Sequence, residues 1–174
     1  SAVNKNNQEI IIANKNNIPV IRRAEMLGEL LKVKSTSIAI AGTHGKTTTS
    51  SMLGSILVEA KLDPTLVIGG VVNEFGSNSM QGDGDIIVVE ADEFDRSFLH
   101  LSPHSSIVTA MDPDHLDIYG DDERFNEGFQ QYVMKIDPNG FCILKEGLQL
   151  HPLCPSYTYN IDSDTADYSA GDIS

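Results

Sequence analysis

The stretch AIAGTHGKTTTSSML, residues 39–53, joins an apolar run to an amphipathic one through Gly42, Gly45, Lys46 and a row of threonines. Gly42 and Gly45 let the backbone bend so that successive N–H groups, with the N-terminus of a helix from Thr47, face a bound anion. Lys46 then reaches the β and γ phosphates of a nucleotide, and the Thr47 hydroxyl takes a magnesium ion. A P-loop of the G-x-x-x-x-G-K-[ST] form needs glycine at position 40, where the chain has Ile40. A plain strand-to-helix turn with a surface lysine is the alternative to a nucleotide site.

Two further positions carry chemistry. Glu90 closes the apolar run IIVVE, and a carboxylate at the end of a buried strand beside a phosphate loop suits a metal ligand. Asp92, Glu93 and Asp95 follow it, crowding negative charge where repulsion is costly unless cations are near. His115, in MDPDHLD, is either a metal ligand or an ordinary capping or core histidine. His44 lies inside the loop, within reach of a phosphate or substrate. His100, His104 and His151 have no comparable context.

These groups need elements to carry them. SIAIA (37–41), TLVIGG (65–70), DIIVVEAD (85–92), SSIVTA (105–110) and GFCILK (140–145) read as strands, and DIIVVEAD is continuously apolar, as in a strand buried on both faces. Helical spacing puts Met26, Leu27, Leu30 and Leu31 on one face of residues 23–32. It also puts Met52, Leu53, Ile56, Leu57 and Ala60 on one stripe after Thr47, and Phe125, Phe129, Val133 and Ile136 on the inner face of 121–136. The alternation implies an α/β fold, a mostly parallel sheet flanked by helices. The loop, Glu90 and the Asp112–His115 turn then fall at the carboxyl edge of the strands, where such sheets bind ligands. Beyond residue 146 the helical period disappears, and the short alternating pieces predict the start of an antiparallel β section.

The chain has 174 residues with a formal net charge of -13, from 25 acidic and 12 basic residues. That balance argues against general nucleic-acid binding, which needs a basic surface. No apolar run approaches the roughly 18 residues that span a bilayer, and the expectation is a cytoplasmic protein without a membrane partner. Cys142 and Cys154 lack metal-ligand spacing and read as incidental thiols of a reducing compartment.

Taken together, AGTHGKTTT, VIGG, VVEADEFDRSFLHL, VTAMDPDHLDIYG and the preceding IPVIRRAEMLGELL resemble the central ATP-binding domain of the Mur ligases, the amide-forming enzymes of peptidoglycan synthesis. The shortened loop without glycine at 40 is that family's form. GTHGKTTT with EADEFDRSFLHL is most similar to the branch that adds L-alanine to UDP-N-acetylmuramate. A branch that attaches a recycled L-Ala-D-Glu-meso-diaminopimelate tripeptide to the same sugar nucleotide is the runner-up. Several other branches carry a carbamylated lysine where this chain has Phe129 or Gln130, which argues against them.

The resemblance implies ATP and Mg2+, with UDP-N-acetylmuramate and L-alanine as substrates. The lactyl carboxylate attacks the γ phosphate of ATP, and the alanine amine attacks the resulting acyl phosphate. Lys46, Glu90 and His115 are the implied catalytic residues. Gly42, Thr43, His44, Gly45, Lys46, Thr47 and Thr48 hold the nucleotide, and Thr47, Glu90 and His115 the metal ions. Gly69, Gly70 and Asn73 are candidates to touch the sugar nucleotide. It also implies that residues 1–35 are the tail of a uridine-nucleotide domain with its linker, and that 36–174 are a truncated central domain lacking a C-terminal partner, with little or no turnover alone. Against a P-loop switch or binding module without ligase chemistry stands the lack of a downstream N-K-x-D segment. Against a P-loop kinase or transporter stands glutamate rather than aspartate at the strand end. Folylpolyglutamate synthetase shares the ligase logic but is less similar around THGKTTT.

Overall fold

Thr36–Ala41 (β1) is the strand from which the structure is organised: its last three residues, Ala39, Ile40 and Ala41, are fully buried. The protein is described by a computed structural model covering residues 3–4, 6–72, 76–112 and 121–171. β1 pairs in parallel with Ile86–Ala91 (β4) on one side and Ser105–Val108 (β5) on the other. Thr65–Val72 (β2) pairs in parallel with β4, and Ser77–Met80 (β3) closes that side antiparallel to β2. Cys142–Lys145 (β6), Ser156–Ile161 (β7) and Tyr168–Ala170 (β8) extend the other side. The sheet order is β3-β2-β4-β1-β5-β6-β7-β8. Chain direction across the sheet reverses around β1 and β4, so their carboxyl ends frame the crevice where open α/β sheets bind ligands.

Strand alternation divides the core into two layers. Ile40, Leu66, Ile68 and Val88 face the helix Lys46–Glu59 (α3), whereas Ala39, Ala41, Ile87, Val89 and Val108 belong to the layer holding Phe98, Phe125 and Phe129. In Asp122–Val133 (α4), Phe125, Phe129, Tyr132 and Val133 are fully buried, with Ile136 just beyond, as the helical spacing predicts. The helix starts at Asp121, whose carboxylate accepts the Arg124 N–H at 2.8 Å, and Asp122 and Glu123 add negative charge to its first turn. Phe98 stacks on Tyr132 with ring centroids 5.0 Å apart and meets Phe129 edge-on at 5.1 Å.

Burial pushes the Tyr132 phenol well above its usual range, so it stays neutral and shares a 2.8 Å hydrogen bond with Ser106 Oγ. Ser106 also donates to the Ala39 carbonyl at 2.8 Å. Tyr132→Phe therefore removes one buried hydrogen bond and leaves Ser106 satisfied. The expected cost is about 1 kcal/mol in urea denaturation, with an unchanged m-value.

Three sequence expectations are corrected. On α3, Met52 and Ile56 are 62% and 63% exposed, Ala60 is exposed too, and the buried residues are Ser50, Gly54 and Leu57. A Cβ at Gly54 would come within 2.8 Å of Leu66 Cδ1, so the glycine lets the helix roll its small residues onto the sheet. On Arg23–Leu31 (α2), Met26 and Leu30 are likewise exposed. Gly28 is pressed against the His100 carbonyl and Leu31 joins the core. The C-terminal section is parallel, not antiparallel: β7 adds to β6 and β8 to β7 in parallel register. Leu150 and Cys154, in the connection between β6 and β7, are buried in the core, so an irregular segment does the work of a crossover helix. The β7–β8 link is tied by Asp167, whose carboxylate accepts both the Thr158 N–H (2.7 Å) and hydroxyl (2.9 Å).

A short helix Gln8–Lys15 (α1) and β3 were not anticipated, and α1 buries no residue. Cys142 and Cys154 are free and buried, and burial pushes the Cys142 thiol up to about 12. Among the described residues no helix is long and apolar enough to cross a membrane.

Candidate active site

The loop from Ala41 to Lys46 is shaped by two left-handed glycines. Gly42 has φ +128° and Gly45, the N-cap of α3, has φ +80°. A Cβ on Gly42 would overlap Thr109 Oγ1 and lie 2.8 Å from the Ala110 nitrogen, so only glycine lets the loop pass the end of β5. Thr109 holds the loop from that side. Its hydroxyl donates to the Ala41 carbonyl at 3.1 Å and reaches the His44 carbonyl, while the Thr43 N–H donates to the Ala110 carbonyl at 3.0 Å. Thr109 was not singled out from sequence, where it reads as the ordinary end of a strand.

Lys46 bends back over this loop. Its ammonium donates to the Gly42 carbonyl at 2.6 Å and to Glu93 Oε2 at 2.7 Å. The side chains are 15% and 2% exposed, so the ion pair is largely removed from water. The acidic run after β4 thus splits. Glu93 is neutralised by Lys46, whereas Asp92 and Asp95 are exposed, with Asp92 accepting the Phe94 N–H at 3.1 Å. Glu93 enters a 3₁₀ segment, Phe94–His100, in which Asp95 and Arg96 both have φ +53°. Left-handed non-glycine residues cost on the order of 1–3 kcal/mol each and persist where surrounding structure holds them. Here the holding group is Phe98, fully buried, with its N–H on the Asp92 carbonyl at 2.8 Å.

Glu90 lies in register with Ile40 on β1, one residue before the strand ends. Its Oε1 is buried and, among the described residues, has no hydrogen-bond partner. Gly69 of β2 leaves room beside it, since a Cβ there would lie 2.7 Å from Glu90 Oε2, and Gly70 leaves room beside Thr47, whose Cγ2 a Cβ would meet at 3.2 Å. A buried carboxylate oxygen without a donor fits a cation, since desolvating it otherwise brings no return. Thr47 and Thr48 are exposed at the start of α3. His44 is exposed, its imidazole 3.8 Å from Asp112. Among the described residues no group of three or more His, Cys, Asp or Glu is gathered as a metal cage. His115 and Asn73 lie outside the described residues.

Two cavities open at this edge. One, about 870 Å³, runs from Gly69, Glu90 and Asp92 to Arg22, Arg23 and Phe94. The other, about 380 Å³, lies beside His44, Gly45 and Thr109 and reaches Lys145 and Tyr159. The arginines at the larger cavity were not singled out from sequence, because nothing in the RR pair itself points to β2 and β4.

The family model described as Mur ligase middle domain matches residues 40–173. The chain belongs to the Mur ligase family. Its sequence is 47% identical over 168 residues to a UDP-N-acetylmuramate–L-alanine ligase of Anaeromyxobacter sp. (strain Fw109-5), covering 97% of this chain and 36% of that relative. It is 41% identical over 177 residues to the ligase of the same name from Porphyromonas gingivalis, covering 99% of this chain and 39% of the relative. This Mur ligase chain thus spans little more than a third of the length of those relatives. Among solved structures it resembles a UDP-N-acetylmuramate–alanine ligase from Thermotoga maritima, with TM-score 0.76 and 28% identity over 93% of this chain and 37% of that one. It also resembles a murein peptide ligase from Psychrobacter arcticus, with TM-score 0.80 and 25% identity over all of this chain and 42% of that one. Mur ligases are ATP-dependent, and the mostly parallel sheet flanked by helices is the family's central-domain fold.

Proposed function

We propose that this chain is the ATP-handling part of a ligase that joins L-alanine to UDP-N-acetylmuramate in the cytoplasm, through an acyl phosphate. The observation that carries the reading is the loop itself: Lys46 closed over Gly42 at the carboxyl end of β1, with a donor-free oxygen of Glu90 on the neighbouring strand β4, beside Gly69 of β2. We further propose that residues 1–35 are the tail and linker of a uridine-nucleotide domain, that 36–174 are part of the central domain, and that these residues alone have little or no ligase turnover. The match of the middle-domain model to residues 40–173 supports that division, and the small share of each relative that the chain spans supports the expectation of little turnover.

In this reading the N–H groups of residues 44–48 cradle the ATP phosphates, and the Lys46 ammonium neutralises charge as the γ phosphoryl moves to the lactyl carboxylate. Thr47 and Glu90 hold a magnesium ion, with His115 assigned to a second. The metal supplies charge neutralisation and orientation of the phosphate oxygens. Gly69, Gly70 and Asn73, with the cavity lined by Arg22 and Arg23, receive the sugar nucleotide, whose diphosphate suits two arginines in an otherwise acidic chain. Activation then splits one difficult condensation into two displacements, and positioning accounts for much of the rate.

Glu90→Gln tests the metal role. It is expected to weaken magnesium-dependent ATP binding at least tenfold by calorimetry while leaving thermal stability unchanged or raised, because the buried Oε1 has no hydrogen-bond partner among the described residues. Unaltered binding would remove Glu90 from the metal site. A tripeptide-adding activity is the second reading, favoured by the likeness to murein peptide ligases at TM-scores of 0.77 and 0.80. The names of the relatives at 41% and 47% identity favour alanine.

A further inference from the structure

We propose that Glu93 is a positioning residue for Lys46, fixing the lysine ammonium across the phosphate loop with one N–H free for a transferring phosphoryl group. The inference rests on the reading of the loop as a nucleotide site. An ammonium has three donors. In this structure the Gly42 carbonyl takes one at 2.6 Å and Glu93 Oε2 takes another at 2.7 Å, which leaves a single donor. Four methylenes of freely rotating side chain are thereby reduced to one pose before any ligand arrives, and preorganised charge is what stabilises a phosphoryl transition state.

The segment that carries Glu93 is built to keep it there. Glu93 is 2% exposed, so water does not compete for its carboxylate. The chain immediately after it turns through two left-handed residues, Asp95 and Arg96, and is pinned by Phe98 in the aromatic core against Tyr132 and Phe129. The Arg96 N–H closes the turn on the Glu93 carbonyl at 3.0 Å. A carboxylate of ordinary solvated kind needs none of this.

The arrangement has opposed consequences for binding and for turnover. A buried negative charge beside an anion site disfavours the nucleotide in the ground state, while the fixed ammonium favours the transition state, in which charge shifts onto the transferring oxygens. Glu93→Gln keeps the shape and one acceptor but removes the charge. A purely structural role for Glu93 would loosen the loop and weaken ATP binding. The positioning role predicts instead that ATP binds more tightly and reacts more slowly.

The test is Glu93→Gln in the full-length protein that contains these residues, with ATP affinity measured by calorimetry and turnover by phosphate release. Expected are a Kd for ATP lowered about tenfold and a kcat lowered about tenfold. A Kd that is unchanged or raised, or a kcat that is unchanged, overturns the inference. Absence of ATP binding by the unaltered protein sinks the nucleotide reading itself, and the inference with it, so the two failures are distinct. Should the variant not fold, a crystal structure of the unaltered protein with a non-hydrolysable ATP analogue decides the matter. Glu93 still hydrogen-bonded to Lys46 supports positioning, and Lys46 withdrawn from Glu93 onto the phosphates overturns it.

Discussion

Replacing Lys46 by alanine is expected to lower ATP-dependent phosphate release about 100- to 1,000-fold and to destabilise the fold by about 3–5 kcal/mol. The two effects have separate causes. Turnover falls because the ammonium that bridges the loop is gone. Stability falls because Glu93, 2% exposed, loses its ammonium partner at 2.7 Å and keeps a charge that is costly to bury. The double variant Lys46→Met, Glu93→Gln separates them: it is expected to recover most of the lost stability in urea denaturation and none of the turnover. A Lys46→Ala protein as stable as the original would show that the pair contributes nothing net. A Lys46→Ala protein that turned over normally would show that the loop is a structural turn.

Gly42→Ala is expected to destabilise by about 2–5 kcal/mol and to abolish measurable ATP binding. The backbone term comes from φ +128°, a sparsely populated region that costs an L-residue on the order of 1–3 kcal/mol. The steric term comes from Thr109 Oγ1 and the Ala110 nitrogen, which a Cβ would meet at closer than van der Waals contact. Relief requires the loop to move away from Thr109, which also breaks the hydroxyl bond to the Ala41 carbonyl and withdraws the Gly42 carbonyl from Lys46. Gly147→Ala, also at positive φ but with nothing within 4 Å, serves as the control and is expected to retain full ATP binding. Equal losses of binding at both positions would remove the steric argument.

What could be read from the chain depended on whether a residue's partner was near it in sequence. The stripe Phe125, Phe129, Val133 and Ile136 was legible because one helix face is set by spacing alone, and all four are buried. The strand-loop-helix over residues 36–59 was legible for the same reason, with glycine, lysine and threonine marking the turn. The roll of α3 was not. Hydrophobicity favours Met52 and Ile56 inward, but Gly54 against Leu66 allows a closer approach on the other face, and contact distance decides. The parallel course of β7 and β8 was hidden because the connection from β6 has no periodicity, and only Leu150 and Cys154 betray that it crosses the core.

At the site, the loop and Glu90 were visible as motifs, while the pairing of Lys46 with Glu93 was not. They are 47 positions apart and meet only because β1 and β4 are neighbours with their carboxyl ends together. Sequence reasoning saw an acidic run and inferred a need for cations. Lys46 is one such cation: it draws Glu93 inward, while Asp92 and Asp95 face water. Thr109 and the two arginines escaped notice because each reads as ordinary until the fold brings the end of β5 and the start of α2 to the site.

We propose that this loop serves an alanine-adding ligase. The most direct measurement is ATP-dependent phosphate release by the full-length protein with UDP-N-acetylmuramate, offering L-alanine or the L-Ala-D-Glu-meso-diaminopimelate tripeptide as the amine. Release with alanine, lost in Lys46→Ala, is the predicted result. Release with the tripeptide alone, or with neither amine, would contradict it.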